Sequence, residues 1–333
     1  MPFLRPFAML LLSGILTSSA AQKAEGPVDF VKDSVIYVDG QPVVAGPATR
    51  LKTVKTMTDI KPGYWVKGEG KRGADGLIVA TKLEARPNGT DKGEKEIIEM
   101  SNQAEKAWVD RKMMFESVDS THIQKIGDIL ETGPEVTRAR AIMDRIRPPY
   151  IPASALRVRV VKTDEWNASC MANGAVWVFT GLMQAMDDDE LALVLGHELA
   201  HYSYEHMRRK MTGSKNTIGQ LLAVGGQVAG SMVGGAAGQV AATGSMLGAS
   251  ALVTGFSREF EDQADRVGLR YAWEGGYDVN KGPALWQKFK TKYGETDKVS
   301  NFFSGDHSRP TERIRNIQRQ IDLNYKGPQP NRK

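Results

Sequence analysis

The spacing of hydrophobic positions changes part of the way along the chain. Between residues 28 and 85, short apolar runs alternate with polar residues and end at turn residues. Residues 31–38 form one such run, and the dipeptide Asp39-Gly40 predicts a hairpin turn to residues 41–44. Strands separated by turns every 8–12 residues or so are typical of small β-barrels and sandwiches. We therefore predict a small all-β module at residues 27–86.

The next segment is polar, and helical periodicity follows it. The turn residues between Arg86 and Gly93 predict a linker at residues 87–95. Beyond the linker, most apolar positions recur with helical spacing and two short runs alternate as strands do. The predicted helices are 94–115, 120–146, one that opens at the acidic run 187–190, 281–293 and 311–323, and the predicted strands are 156–161 and 175–180. We expect a mainly helical domain at 96–325, followed by a disordered basic tail at 326–333.

One long segment carries no charged side chain. Residues 216–257 contain glycines at 226, 230, 234 and 238, which predict a bare stripe along one helical face. A close-packed helical hairpin and a membrane-associating segment both fit this pattern. The glutamines at 220, 227 and 239 make it a poor spanning helix, so the pattern favours the hairpin. Peripheral membrane contact through 216–257 stays as the alternative.

Composition excludes several classes of protein. The chain has 333 residues, a formal charge of +5 and a single cysteine, Cys170. One cysteine excludes an internal disulfide framework, an iron–sulfur cluster and a cysteine-rich zinc ribbon. The slight positive charge and the lack of a recognisable nucleic-acid-binding motif give no reason to expect a nucleic acid partner.

The N-terminus has the pattern of a secretory signal peptide. Residues 1–21 contain one basic residue, Arg5, then an apolar run, then the small residues 18–21. The apolar run is too short for a spanning helix, which needs about 20 residues. A lipoprotein would have its acylated cysteine here, and this region has none. We expect export to a bacterial periplasm as a soluble protein rather than a lipid-anchored one.

The helix that opens at residue 187 contains the motif His197-Glu-x-x-His201. Two histidines four positions apart lie on one helical face, where both can bind a single Zn²⁺ ion at about 2.0–2.1 Å. Glu198 is next to the first ligand and can act as general base without binding the metal. Zinc lowers the pKa of bound water from about 15.7 to near 7, so a carboxylate can take its proton during attack on a carbonyl. The motif therefore predicts one zinc ion per chain and peptide hydrolysis.

A third ligand has to come from elsewhere in the sequence. One extended form of the motif would have Gly at 204 and His at 207, but Tyr204 and Met207 stand there. A glutamate on a later helix is the other common solution. Glu261 and Asp265 are four positions apart in such a segment, so Glu261 can bind the metal while Asp265 accepts a hydrogen bond from a ligand histidine.

These motifs together resemble the M48 zinc metallopeptidases of the CaaX prenyl protease superfamily. The resemblance rests on the His197 motif, on Glu261-x-x-Ala-Asp265, on His307…Pro310-x-x-Arg313 and on the segment 167–182. It is greatest for the exported members that lack spanning helices. It implies that His197, His201 and Glu261 bind zinc and that Glu198 is the base. It also implies that His307 and Arg313 lie near the site, where they stabilise the oxyanion or, for His307, gate the metal.

The resemblance also extends to fold and substrate. It implies an α+β fold: a mainly helical, zincin-like (gluzincin) domain with a small β-sheet, behind the β module, whose residues 60–84 resemble OB-like barrels. An edge strand around Asn167 and Ala168 is expected to pair with an extended or unfolded polypeptide. The implied function is a zinc metalloendopeptidase that degrades misfolded or damaged envelope proteins. The alternative is a zinc-bound periplasmic chaperone or binding protein in which His307 blocks the site, and the oligomeric state stays open.

Overall fold

The computed structural model describes residues 21–87, 92–117, 123–213, 256–294 and 310–327. Several predicted features lie outside these ranges: the signal peptide up to residue 20, nearly all of the charge-free segment 216–257, His307 and the tail beyond Gly327. Within the described ranges, no helix combines the length and the apolar character needed to cross a bilayer. The chain divides into two compact units. The first comprises the described residues up to Arg86 with Ile321–Lys326, and the second comprises Pro87–Gln320 with the residues from Gly327 onward.

The first unit contains five strands whose hydrogen bonds follow a closed order, β1-β2-β3-β5-β4. Neighbouring strands are antiparallel at β1–β2, β1–β4 and β2–β3, and β3 pairs with β5 in parallel. The strands are β1 (Gln22–Lys32), β2 (Val35–Val38), β3 (Gln41–Lys52), β4 (Tyr64–Arg72) and β5 (Ile78–Pro87). Alternate residues point inward and form an aliphatic core that includes Val28, Ile36, Val66, Ile78 and Leu83. The likeness to OB folds stays a prediction.

Turn chemistry sets the hairpins of this unit. Asp39 and Gly40 both have positive φ, as a two-residue hairpin turn requires, and they join β2 to β3. The predicted single strand at 31–38 is wrong, because Asp33 and Ser34 also have positive φ and break it into the end of β1 and the whole of β2. The three consecutive polar residues 32–34 interrupt the apolar positions there, so the sequence did carry a signal for this turn.

The second unit contains a five-stranded sheet with the order β6-β7-β8-β10-β9. Strands β8 and β10 are parallel, and the other pairs are antiparallel. Strand β9 therefore lies at one edge of the sheet, with a neighbour on one side within that sheet. The strands are β6 (Met113–Ser117), β7 (Ile123–Leu130), β8 (Arg157–Lys162), β9 (Ala168–Cys170) and β10 (Ala175–Phe179).

The helices of the second unit largely follow the predicted spacing, but the predicted helix 94–115 ends early, because residues 113–115 belong to strand β6. They are α1 (Lys92–Asp110), α2 (Pro134–Ile146), α3 (Thr180–Ala185), α4 (Asp188–Ser203), α5 (His206–Gly213), α6 (Arg258–Glu274), α7 (Gly282–Tyr293) and α8 (Pro310–Asn324), whose residues from Ile321 onward are counted with the first unit. The predicted helix at 120–146 is wrong over residues 123–130, which form strand β7. The pair Gly133-Pro134 starts a new helix there, since proline suits the first helical turn. The predicted linker at 87–95 also holds the start of α1, and the α+β class is confirmed.

A partly buried ionic network fixes the turn between β9 and β10. Glu105 of α1 accepts hydrogen bonds from Arg157 and Arg159 of β8 and from the side chain of Asn173. Arg157 also donates to the carbonyl of Asn173, at 3.0 Å. The next residue, Gly174, has a φ of +82°, and a Cβ there would collide with the carbonyl oxygen of Ala155. These contacts fix the turn that follows β9, and that turn fixes the position of this edge strand.

Helix α4 begins at a well-formed N-cap and is buried over most of its length. The Asp187 side chain accepts from the backbone N–H of Glu190, while the Glu190 side chain accepts from the N–H of Asp187. This reciprocal pair satisfies two of the amide groups that have no partner inside the helix. The acidic run 187–190 also suits the positive end of the helix dipole.

Helices α4 and α6 cross at a pair of glycines. A Cβ on Gly268 would lie 2.6 Å from the backbone nitrogen of His197, and a Cβ on Gly196 would lie 2.7 Å from the carbonyl oxygen of Gly268. No side chain fits at such distances, so the two backbones approach more closely than ordinary helices do. The contact lies next to His197, within the part of α4 that carries the motif His197-Glu-x-x-His201.

We expect the substitution Gly268→Ala to destabilise the protein by about 1–3 kcal/mol, the usual cost of overpacking. Helix propensity alone predicts the opposite sign, because alanine in a helix interior is favoured over glycine by about 0.5–1 kcal/mol. Urea denaturation measures the difference. Gly327→Ala is the control, because a Cβ at Gly327 would have no atom within 4 Å. Equal or greater stability of Gly268→Ala would show that the helices do not depend on this contact.

Candidate metal centre

One face of α4 presents the first two candidate ligands. His197 and His201 are separated by one helical turn, and each is 4% exposed. Their Nε2 atoms are 3.0 Å apart and face the same point. Histidine side chains at this spacing converge because α-helical residues four apart lie above one another.

Helix α6 supplies the third candidate ligand from the opposite side. It begins after Ser257, whose side chain accepts from the backbone N–H of Phe260 and caps the helix. Glu261 then lies in the first turn with only 1% of its surface exposed. Its Oε2 is 3.4 Å from Nε2 of His197, and its Oε1 is 3.4 Å from Nε2 of His201.

These three side chains fit a tetrahedral metal ion. Bonds of about 2.0–2.1 Å in a tetrahedron place the ligand atoms about 3.3–3.4 Å from one another. The two Nε2 atoms are 3.0 Å apart, and each lies 3.4 Å from a different oxygen of the Glu261 carboxylate. Among the described residues, His197, His201 and Glu261 are the group of acids, histidines and cysteines whose ligand atoms come this close together. Two imidazole nitrogens and a carboxylate oxygen suit zinc, and they leave a fourth position open for water or substrate.

A buried ion pair contacts His197 on the side of the ring that faces away from the candidate metal position. Asp265 Oδ1 is 2.9 Å from Nδ1 of His197, and Asp265 also accepts two hydrogen bonds from the guanidinium of Arg313. Arg313 itself is 1% exposed and lies over the ring of Trp286, 3.5 Å from the ring centroid. Because Asp265 accepts from Nδ1–H, the lone pair of His197 is on Nε2, which faces the candidate metal position.

The surrounding charges decide the protonation of Asp265 and His197. Burial disfavours the ionised carboxyl of Asp265, but Arg313 and His197 outweigh burial and hold its pKa below the ordinary value. Burial also disfavours a charged His197, but the hydrogen bonds to Asp265 and Glu261 raise its pKa to about 9. The carboxylates thus create a site that attracts a cation, either a proton or a metal ion.

Glu198 lies beside the ligands and contacts the edge strand. It is buried, and desolvation, with a smaller contribution from the charge of Glu261, raises its pKa to about 7. Its carboxylate accepts a hydrogen bond from the backbone N–H of Cys170 in β9. The thiol of Cys170 is kept protonated, because burial and the charge of Glu198 raise its pKa well above the ordinary value. A carboxyl with a pKa near neutrality can both take and return a proton.

His201 has neighbours that sequence reasoning did not find. His206 Nδ1 lies 2.8 Å from its Nδ1, and the ring of Phe256 stacks on His201 at a centroid distance of 4.1 Å. His206 is fully buried, and burial lowers its pKa to about 3, so it is neutral at physiological pH. The glycines 196 and 268 were also missed. Their signal was available, since an isolated glycine within a helical pattern often marks a close backbone approach.

The structure brings together most of the site residues expected from sequence. His197, His201, Glu261, Asp265 and Arg313 form one cluster, with Glu198 next to it. Arg313 contacts Asp265 and lies 3.5 Å from Glu261, so it stabilises the ligand side of the site, and its predicted oxyanion role stays a prediction. His307 lies outside the described residues, so its predicted role also stays a prediction.

Two histidines and a glutamate on crossing helices, with a second glutamate alongside, define the site of a metal-dependent peptidase. The chain belongs to peptidase family M48, whose family model matches residues 135–321, more than half of the chain. The prediction of an M48 metallopeptidase is confirmed. A second family model, a domain of unknown function designated DUF5666, matches residues 25–84, which coincide with the β-stranded unit.

Curated relatives agree with this assignment. The chain is 30% identical over 132 residues to the beta-barrel assembly-enhancing protease of Yersinia pestis, which covers 39% of this chain and 27% of the relative. It is 26% identical over 299 residues to the mitochondrial metalloendopeptidase OMA1 of Arabidopsis thaliana, covering 87% and 56%. A 64-residue match to the metalloprotease YcaL of Escherichia coli is 42% identical and covers 19% and 25%. The chain thus spans about a quarter to a little over half of the length of these relatives.

We expect Asp265→Asn to lower both stability and metal affinity. Removing one partner of a buried ion pair leaves Arg313 with only the more distant carboxylate of Glu261, at a cost of up to about 3–5 kcal/mol. The loss of the carboxylate behind a ligand histidine typically weakens metal binding by about 10–100-fold. Urea denaturation and competition with a zinc chelator measure the two effects. Glu259→Gln, at an exposed acid on the same helix, is the control, and a variant of Asp265 that behaved like it would contradict the assigned role.

Proposed function

We propose that this protein is a zinc-dependent metalloendopeptidase that hydrolyses peptide bonds in exported, misfolded or damaged envelope proteins. One observation supports the chemistry above all others: the Nε2 atoms of His197 and His201 are 3.0 Å apart, and each lies 3.4 Å from an oxygen of Glu261. The buried Glu198 lies beside this group. Membership of family M48 supports the same conclusion from the whole domain. We place one zinc ion per chain at His197, His201 and Glu261.

The chain's own groups then share the steps of hydrolysis. A zinc ion held there would polarise the substrate carbonyl and lower the pKa of water. Glu198 takes the proton of the attacking water and later donates it to the nitrogen of the leaving amine. Its pKa of about 7 in the metal-free site suits both steps, and a nearby dication would lower this pKa further. Asp265 and Arg313 keep His197 in the tautomer that binds metal.

Strand β9 is the proposed substrate strand. Phe179 N–H donates to the carbonyl of Asn167, and Met171 N–H donates to the carbonyl of Ala175, so odd-numbered residues of this segment bond to β10. In an antiparallel ladder the even-numbered residues, Ala168 and Cys170, therefore turn their backbone groups to the outer edge. The N–H of Cys170 contacts Glu198 on that side.

An extended polypeptide that pairs with this edge would pass the base and the ligands. Such backbone pairing is indifferent to sequence and accepts any unfolded segment, which suits an endopeptidase acting on damaged proteins. Of the two residues predicted to bind substrate, Ala168 turns its backbone groups to the open edge, whereas the carbonyl of Asn167 already accepts a hydrogen bond from Phe179 at the end of β10.

The envelope setting rests on two further features. Residues 1–21 have the pattern of a signal peptide, and relatives in Yersinia pestis and Escherichia coli carry the name beta-barrel assembly-enhancing protease. We propose a periplasmic location for the mature chain. The β-stranded unit, with its proposed OB-like barrel, would serve as a spacer or docking module.

Glu198→Gln tests the function most sharply. Loss of a general acid–base group typically lowers the rate by about 10²–10⁴-fold, so we expect cleavage of an unfolded protein such as casein to fall by that factor. Zinc content should stay near one ion per chain, because Glu198 is not a ligand. The measurement combines a proteolysis assay with elemental analysis of the same samples.

A control variant and two contrary results complete the test of Glu198→Gln. Glu259→Gln changes an exposed glutamate of α6 and should leave cleavage unchanged. Equal cleavage by wild type and Glu198→Gln would overturn the enzymatic assignment and favour a chaperone or binding protein. Loss of zinc from Glu198→Gln would instead mean that this carboxylate holds the metal.

A further inference from the structure

The two candidate ligand histidines are supported in different ways. Both direct Nε2 toward the metal position and Nδ1 away from it. Nδ1 of His197 meets a carboxylate, Asp265, which can only accept when ionised. Nδ1 of His201 meets a second imidazole, His206, at 2.8 Å. An imidazole can donate or accept, so its tautomer decides whether it supports the ligand.

The hydrogen bonds around His206 allow one consistent direction when a metal is bound. A His201 that binds through Nε2 has its proton on Nδ1 and donates it, so Nδ1 of His206 must accept. The proton of neutral His206 is then on Nε2, which lies 2.9 Å from Oε1 of Gln263. That oxygen also accepts from Arg209, at 3.0 Å, and arginine has no acceptor. The cation therefore fixes the orientation of the Gln263 amide, and Gln263 fixes the tautomer of His206.

Aromatic packing fixes the ring planes of the same chain of groups. The ring of His206 lies parallel to that of Phe260, with centroids 4.6 Å apart and an interplanar angle of 5°. The guanidinium of Arg209 lies on the ring of Phe260 as well, 4.5 Å from its centroid. His206 is fully buried between these contacts and His201. Neither imidazole can turn without giving up a stacked neighbour.

We propose that His206 is a positioning residue of the metal centre, which orients His201 and is itself oriented by Gln263. Helix α6 then supplies one ligand, Glu261, together with the groups that orient both histidines, Asp265 directly and Gln263 through His206. The inference rests on the proposed zinc binding. It predicts that metal affinity depends on an acceptor at the Nδ1 position of residue 206.

Three substitutions separate orientation from packing. His206→Asn keeps an acceptor oxygen at the position of Nδ1, His206→Gln moves its amide one bond farther out, and His206→Phe keeps a stacked ring without any acceptor. For a positioning role we expect zinc affinity to fall by about 10–100-fold in the Phe and Gln variants. The Asn variant should retain most of the affinity. A packing role predicts the reverse order, with Phe nearest to wild type and Asn weakest.

A second arm tests the role of Gln263. Gln263→Met removes the acceptor for Nε2–H of His206, so the other tautomer becomes accessible and zinc binding should weaken. Adding His206→Phe to Gln263→Met should cause no further loss beyond that of His206→Phe alone, because residues in one network are not additive. Gln287→Met changes an exposed glutamine of α7 and is the control.

The readout is the zinc dissociation constant of the full chain, measured by chelator competition, with thermal unfolding of the metal-free variants alongside. The proposal is supported if His206→Asn binds zinc more tightly than His206→Phe and His206→Gln while the metal-free variants have similar melting temperatures. The proposal is overturned if all three variants of His206 bind zinc as tightly as wild type, or if His206→Phe binds it more tightly than His206→Asn. In either case zinc binding by the wild-type protein leaves the proposed function standing. Absence of zinc binding by wild type overturns both.

Discussion

The close crossing of helices α4 and α6 is the contact on which the metal centre depends. Glycines at 196 and 268 let the two backbones touch beside His197, so ligands from separate helices reach one point. A wider separation would move Glu261 away from both histidines. Ligand geometry is thus determined by backbone packing, which is far more rigid than the rotamers of three exposed side chains would be.

The crossing also brings a high density of buried charge into the domain. Glu198, Glu261 and Asp265 lie around His197, and Arg313 compensates part of their charge. Carboxylates in such a place are stable only when cations and hydrogen bonds satisfy them. A dication at the three ligand atoms would complete that compensation, so metal binding and folding of this region are expected to be coupled. The stacked pair His201–Phe256 and the contact of Arg313 with Trp286 show how apolar rings enclose these charges.

Sequence alone predicted the parts of the site that follow from local spacing. His197, Glu198 and His201 share one motif, and Glu261 with Asp265 share another, so helical geometry defines each set. The class α+β and the hairpin at Asp39-Gly40 were also predictable. The support of His201 was not, because His206 lies in α5 while Phe256 and Gln263 lie just before and within α6, and these two segments meet only through tertiary packing. Strand β7 was taken for helix because its apolar residues, at 123, 126, 129 and 130, recur with helical spacing, and its pairing with β6 and β8 in the sheet overrides that local pattern.

The central claim is that α4 and α6 together hold one zinc ion through His197, His201 and Glu261. X-ray absorption at the zinc edge of the purified, zinc-loaded protein tests it most directly. The account predicts one zinc per chain, bound by two imidazole nitrogens and by oxygen atoms at about 2.0–2.1 Å. A sulfur neighbour at about 2.3 Å would contradict it, because it would place the metal on Cys170 instead.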